Sequence, residues 1–177
     1  DVFLCGFSMG GCLALLASAR KSPWLRGAVS ICAPLKLHDY TARLVPSIVG
    51  LNTLLKRVAR SRPGWEFVDN HPENPHINYT RNPLTGVREL IALMGMVDAA
   101  LPEVRVPTLV VQGSKDTTVS PVSGTLIFDK LGTPAKELAL YERARHGIVN
   151  GGGSDEIFER VYHFIERTRR QERDIAE

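Results

Sequence analysis

Leu4-Cys5-Gly6-Phe7-Ser8-Met9-Gly10-Gly11 is the stretch whose reading decides the fold. Asp1 to Cys5 is a short apolar run of the length a buried strand needs. From Cys12 onward, Leu13, Leu15, Leu16 and Ala17 among small residues predict a helix. Between them lies G-x-S-x-G, the pattern in which a sharp strand-to-helix turn lifts a serine into solvent. Gly6 and Gly10 leave room for backbone to pass close, and Gly10 is expected to open the helix without a clashing Cβ. The helix N-terminus then directs its unpaired N–H groups and partial positive charge at an anion forming beside Ser8.

Working outward, Arg20-Lys21-Ser22-Pro23 ends the helix, and Gly27 to Ala33 reads as a second buried strand closed by Pro34. Strand, helix, strand at this spacing is a βαβ unit, so the two strands are expected to be parallel with a right-handed crossover. Val106 to Gln112 is the clearest strand, apolar on both faces as central parallel strands are, and it runs into Gly113-Ser114-Lys115-Asp116. Ser120-Pro121 offers an N-cap and an N1 proline for a helix through Leu131. Glu137 to Tyr141 is a further strand, followed by Glu142-Arg143-Ala144-Arg145-His146-Gly147. Ser154-Asp155-Glu156 caps a last helix with Ile157, Val161, Phe164 and Ile165 on its buried stripe, and the polar tail from Thr168 is expected to fray. The fold class is α/β: a parallel sheet with flanking helices, its core on residues 1–34 and 106–177.

Residues 35–105 have a different texture. Leu44, Ile48, Leu51, Leu55 and Val58 repeat at helical spacing near Pro46, and Arg62-Pro63-Gly64 breaks that helix. Asp69 to Pro83 is rich in Asn and Pro and reads as an irregular connection. Val87, Leu90, Ile91, Met94 and Val97 form a second helical stripe. About seventy residues between two sheet strands far exceeds an ordinary loop. The segment reads as an inserted helical lid.

Composition sets the class. With 177 residues, 44% hydrophobic and 23% charged, the chain is one globular domain's worth of sequence. The net charge of +3 is scattered; Arg57, Arg60 and Arg62, and Arg167, Arg169, Arg170 and Arg173, read as solvated helix faces, so nucleic acid is not an expected partner. Cys5, Cys12 and Cys32 are an odd set without C-x-x-C spacing, which speaks against zinc and redox roles and for buried free thiols in the cytoplasm. No run of eighteen apolar residues suggests a membrane span, and nothing resembles a signal peptide. No histidines and carboxylates have metal-ligand spacing, and Gly151-Gly152-Gly153 reads as a flexible connector, so neither metal nor cofactor is expected.

Three loops follow three strands, and each carries one candidate: Ser8, Asp116 and His146. In open parallel sheets functional groups gather beyond the carboxyl ends of the strands, so the three can converge. A serine hydroxyl is a poor nucleophile until an imidazole takes its proton. The imidazole needs a carboxylate to fix its tautomer, and the oxyanion needs preset N–H donors, one expected from the backbone of Met9. His38, His71, His76 and His163 rank lower because none follows a core strand in the needed order, and Asp129 and Asp155 sit in or at the start of helices.

The stretches GFSMGG, VPTLVVQGSKDTTVSP and ALYERARHG resemble the α/β-hydrolase family, in its bacterial carboxylesterase and monoacylglycerol-lipase branch. The resemblance implies a cofactor-free attack of Ser8 on a small-molecule ester, an acyl-enzyme, and release by water. His146 is then the base, Asp116 its partner and Met9 N–H an oxyanion donor. It also implies that the chain starts at the family's nucleophile strand, with the earlier strands and the second oxyanion donor absent. The edge of residues 2–5 would then be open to another chain or another copy. A thioesterase or acyltransferase with the same triad, or a non-catalytic binding module, are the alternative expectations.

Overall fold

The structure, a computed structural model, describes residues 2–38, 47–49, 66–69 and 79–176. Two compact units are present: residues 1–38 with 94–177, and residues 39–93.

The first unit is built on a four-stranded sheet in the order β1-β2-β5-β6. Its strands are β1 (Val2–Phe7), β2 (Leu25–Ile31), β5 (Thr108–Gly113) and β6 (Lys136–Tyr141). All neighbours are parallel, as the βαβ reading requires, and β1 joins β2 through helix α1 (Met9–Ser18). The registers align the strand ends: Phe7 pairs with Ile31, Ile31 with Val111, and Gly113 with Tyr141. Backbone bonds continue past the last pairs, from Ser8 N to Ile31 O, Cys32 N to Val111 O and Ser114 N to Tyr141 O, each 2.8 Å. The three loops that matter therefore leave the sheet at one end, beyond the carboxyl ends of the strands.

Period-two alternation sorts the sheet's side chains between two helical layers. Val29, Ile31, Leu109 and Val111 pack with Ile157 and Phe164 of the long helix α4 (Ser154–Ala176). On the opposite face, Ser30 lies against Gly11 of α1, and Gln112 against Gly124 of helix α3 (Val122–Lys130). Both glycines are contact points: a Cβ on Gly124 would fall 2.7 Å from Gln112 Cβ. Glu137 of β6 accepts hydrogen bonds from Arg160, at 2.7 Å, and from Arg167, linking α4 to the sheet edge.

Several expectations are corrected. Helix α4 does not fray at Thr168 but continues to Ala176. Thr168 is buried because its hydroxyl donates to the Phe164 carbonyl one turn back, and Arg169 pairs with Glu166 at 2.6 Å. Helix α3 begins at Val122, with Pro121 rather than Ser120 at its cap, and Ser154 is the first residue of α4 rather than its cap. Cys12 and Cys32 are buried free thiols, whereas Cys5 is exposed on β1, the outermost strand in the sheet order, where no residue is fully buried.

The second unit contains a short antiparallel ladder of β3 (Phe67–Asp69) with β4 (Arg81–Pro83). The two ends of the stretch expected to be irregular are thus paired, and its middle lies outside the described residues. The Arg81 guanidinium sits 5.4 Å from the Phe67 ring centroid. Helix α2 (Leu84–Ala100) realises the second predicted stripe, and Val49 and Leu84 are buried with Ile48, Val87 and Ile91 around them. The other predicted helix, Leu44 to Val58, lies outside the described residues except at 47–49, which are helical. The unit's span, 39–93, is narrower than the 35–105 expected for the insertion. Residues 35–38 bond to the loop after β5, and Leu101 and Val104 are fully buried.

Candidate active site

Ser8 sits at the corner between β1 and α1 with φ 55° and ψ −123°. That backbone conformation disfavours any residue with a side chain and costs about 1–3 kcal/mol, so the surrounding structure must enforce it. Gly6 shows how. A Cβ there would lie 2.0 Å from the Gly10 carbonyl oxygen and 2.6 Å from the Gly11 nitrogen, so the strand and the first turn of α1 cross in backbone contact. A Cβ on Gly10 would meet nothing within 4 Å. Of the two glycines expected to leave room at the corner, Gly6 is therefore required and Gly10 is not.

The hydroxyl this corner presents lies 2.8 Å from Nε2 of His146. Nδ1 of the same ring lies 2.7 Å from Oδ2 of Asp116. The His146 side chain is 16% exposed and that of Asp116 fully buried. Oδ1 of Asp116 accepts the amides of Thr118, at 2.8 Å, and Val119, at 2.9 Å, and these fix the carboxylate in the turn after β5. Burial alone would raise the pKa of this carboxyl. The hydrogen bonds from His146, Val119 and Thr118 outweigh burial and hold it below its ordinary 3.8. An ionised carboxylate only accepts, so Nδ1 carries the proton and Nε2 presents its lone pair to the Ser8 hydroxyl.

His146 is held by its surroundings. The Phe7 ring packs on it at 4.9 Å between centroids, tilted by 34°. Two residues on, Ile148 is buried in the core cluster and its amide donates to the His146 carbonyl at 2.8 Å. Arg143 ties the loop to α4 through Glu156, at 2.9 Å. Gly153, with φ +81°, is more than a connector: a Cβ there would fall 2.3 Å from Nη2 of Arg143.

Cys32 Sγ, an Asp116 carboxylate oxygen and a His146 nitrogen lie within 4.8 Å of one another, a grouping that could suggest a metal ion. The geometry favours hydrogen bonding instead. Two ligands of a tetrahedral zinc ion stand roughly 3.3 Å apart, well beyond the 2.7 Å between Nδ1 and Oδ2. Burial also pushes the Cys32 thiol up to about 12, helped by the neighbouring Asp116 charge and against the Gly113 amide.

Of the lower-ranked candidates, His71 and His76 lie outside the described residues, His163 stands beside Tyr162 on α4, and Asp129 and Asp155 are on α3 and α4. His38 is the residue that sequence reasoning undervalued. Its Nε2 lies 2.7 Å from the backbone carbonyl of Asp116. Met9, whose amide was the expected oxyanion donor, is the first residue of α1, a position whose N–H has no acceptor within the helix.

A parallel sheet flanked by helices, with a strained serine at a strand-to-helix corner, defines an α/β-hydrolase. The chain belongs to the serine aminopeptidase S33 family of hydrolases, which it matches over residues 1–151. It is 28% identical over 175 residues to human monoglyceride lipase, covering 93% of this chain and 56% of that one. Against the Bacillus subtilis carboxylesterase it is 23% identical over 167 residues, covering 94% and 64%. A metagenome-derived lipolytic enzyme shares the fold with a TM-score of 0.75 at 24% identity, over 94% of this chain and 66% of that one. The chain spans between 49% and 64% of the length of the curated relatives it matches. Among the described residues no helix is long and apolar enough to cross a membrane.

Proposed function

We propose that this chain carries the reaction centre of a serine hydrolase acting on carboxylic esters. The observation that carries the reading is His146, bridging Ser8 Oγ and Asp116 Oδ2 through its two ring nitrogens. In the proposed reaction Ser8 Oγ attacks the ester carbonyl while its proton passes to Nε2. The Asp116 carboxylate stabilises the imidazolium, and His146 then delivers the proton to the departing alcohol oxygen. The Met9 amide, aided by the positive end of α1, steadies the tetrahedral oxyanion; one such donor is worth about 100–1,000-fold in rate. Water, activated by the same imidazole, releases the acid from Ser8.

The relatives named monoglyceride lipase and carboxylesterase support the ester as substrate class. The small apolar core of the second unit, Val49 and Leu84 with Val87 and Ile91 packed around them, supports a lid role for that unit, and the acyl chain proposed is short to medium in length. The three free thiols support a reducing compartment, the cytoplasm. Acceptor choice is tested by supplying p-nitrophenyl butyrate with a competing alcohol. Free butyrate as the dominant product is expected. A dominant new butyrate ester would make the protein an acyltransferase instead.

A further inference from the structure

Every polar group of Asp116 has a partner. Its amide donates to the Gly113 carbonyl at 3.3 Å, Oδ1 accepts from Thr118 and Val119, and Oδ2 accepts from His146. The carbonyl is taken by His38, on a strand-like strap that returns from β2 across the loop after β5. Leu37 bridges antiparallel to Val119, and the His38 amide donates to Thr118 O at 3.3 Å. At the base of the strap, the Ser120 amide donates to Lys36 O at 3.0 Å. The buried Ser123 hydroxyl accepts the amide of Lys36 at 3.0 Å and donates to its carbonyl at 3.1 Å. The backbone bonds of the strap reach residues beyond Asp116. The His38 side chain reaches Asp116 itself.

We propose that His38 is a positioning residue for Asp116. Its imidazole N–H holds the Asp116 peptide plane, and so the direction in which the carboxylate meets His146. Two amides fix Oδ1, the Gly113 carbonyl holds the Asp116 amide on the upstream side, and His38 anchors the peptide that follows Asp116. Without it the peptide can rotate, carrying Oδ2 away from Nδ1 while the two amide bonds persist. A displacement well under 1 Å is enough to weaken a 2.7 Å bond, because hydrogen-bond strength falls steeply with distance and angle. The effect on rate rests on the reading of Ser8, His146 and Asp116 proposed above; the effect on geometry does not.

The test uses His38→Ala and His38→Gln, the second of which keeps an N–H donor at nearly the same reach. His38 is exposed, so both variants are expected to fold with the parent's unfolding midpoint. Two readouts are taken: the rate of fluorophosphonate labelling at Ser8, and the downfield proton resonance of His146 Nδ1–H. His38→Ala is expected to label about tenfold more slowly, the worth of one ordinary hydrogen bond, with its resonance shifted and exchange-broadened. His38→Gln is expected to label within about twofold of the parent and keep the resonance. An alanine variant with the parent's rate and resonance, a glutamine variant no better than alanine, or a parent without the resonance would each overturn the proposal. A parent that shows the resonance, loses it in His38→Ala and yet never labels at Ser8 would leave His38 in place and sink the hydrolase reading.

Discussion

Replacing Asp116 with Asn should lower ester hydrolysis by about ten-thousand-fold while leaving the fold intact. The amide oxygen of Asn can still accept from Thr118 and Val119, so the turn after β5 survives. Its NH2 group then faces Nδ1 of His146, where the carboxylate oxygen had been. A donor facing Nδ1 forces the other tautomer, with the proton on Nε2 pointing at Ser8. The imidazole can no longer accept the serine proton, and the hydroxyl stays unactivated. The same variant has a second signature, in stability against pH. The folded-state pKa of Asp116 is lowered, so its contribution to stability is fully present above its ordinary value near 3.8 and is lost as pH falls through the lowered folded value. The stability gap between parent and Asp116→Asn should therefore be widest above about pH 5 and shrink on acidification. A gap independent of pH between 6 and 2 would contradict the assignment of an ionised, hydrogen-bonded carboxylate.

Gly6→Ala should cost more than about 4 kcal/mol, a large share of the 5–15 kcal/mol that a typical domain has. The added methyl would lie 2.0 Å from the Gly10 oxygen, 2.3 Å from its carbonyl carbon and 2.6 Å from the Gly11 nitrogen. All three are backbone atoms, so no rotamer change relieves the clash. Helix α1 must lift from β1, and the corner that holds Ser8 at φ 55° is lost with it. Gly10→Ala is the matched control. Its methyl meets nothing within 4 Å, and inside a helix alanine is favoured over glycine by about 1 kcal/mol. Urea unfolding followed by circular dichroism separates the two. Equal midpoints for Gly6→Ala and the parent would show that strand and helix do not cross as tightly as described.

The sheet and the candidate site were legible because their signals are local. A serine between two glycines at a strand-to-helix junction, an aspartate just after an apolar strand and a histidine just after another can each be read within about ten residues. Parallel pairing then brings the three loops to one end of the sheet without further information. His38 was not legible, because it bonds to a backbone carbonyl, and any residue's carbonyl would look the same in sequence. Thr168 misled for the opposite reason. A polar residue on an otherwise apolar stripe suggests an end, but a hydroxyl that bonds the preceding turn lets the helix continue with the residue buried. Cys5 misled because an apolar run reads as buried wherever it falls in a sheet; only the strand order shows that β1 is outermost and partly covered. The glycine requirement at the corner depends on which backbone atoms cross, which spacing alone assigns equally to Gly6 and Gly10.

The central claim is that His146, oriented by Asp116, takes the Ser8 proton, so that the three residues act as one unit. Fluorophosphonate labelling of the chain, read by intact mass, tests it most directly. The account predicts one adduct per chain, located on Ser8, absent in Ser8→Ala and strongly slowed in Asp116→Asn. A folded chain that takes up no label, or that labels equally well without Ser8, would contradict it.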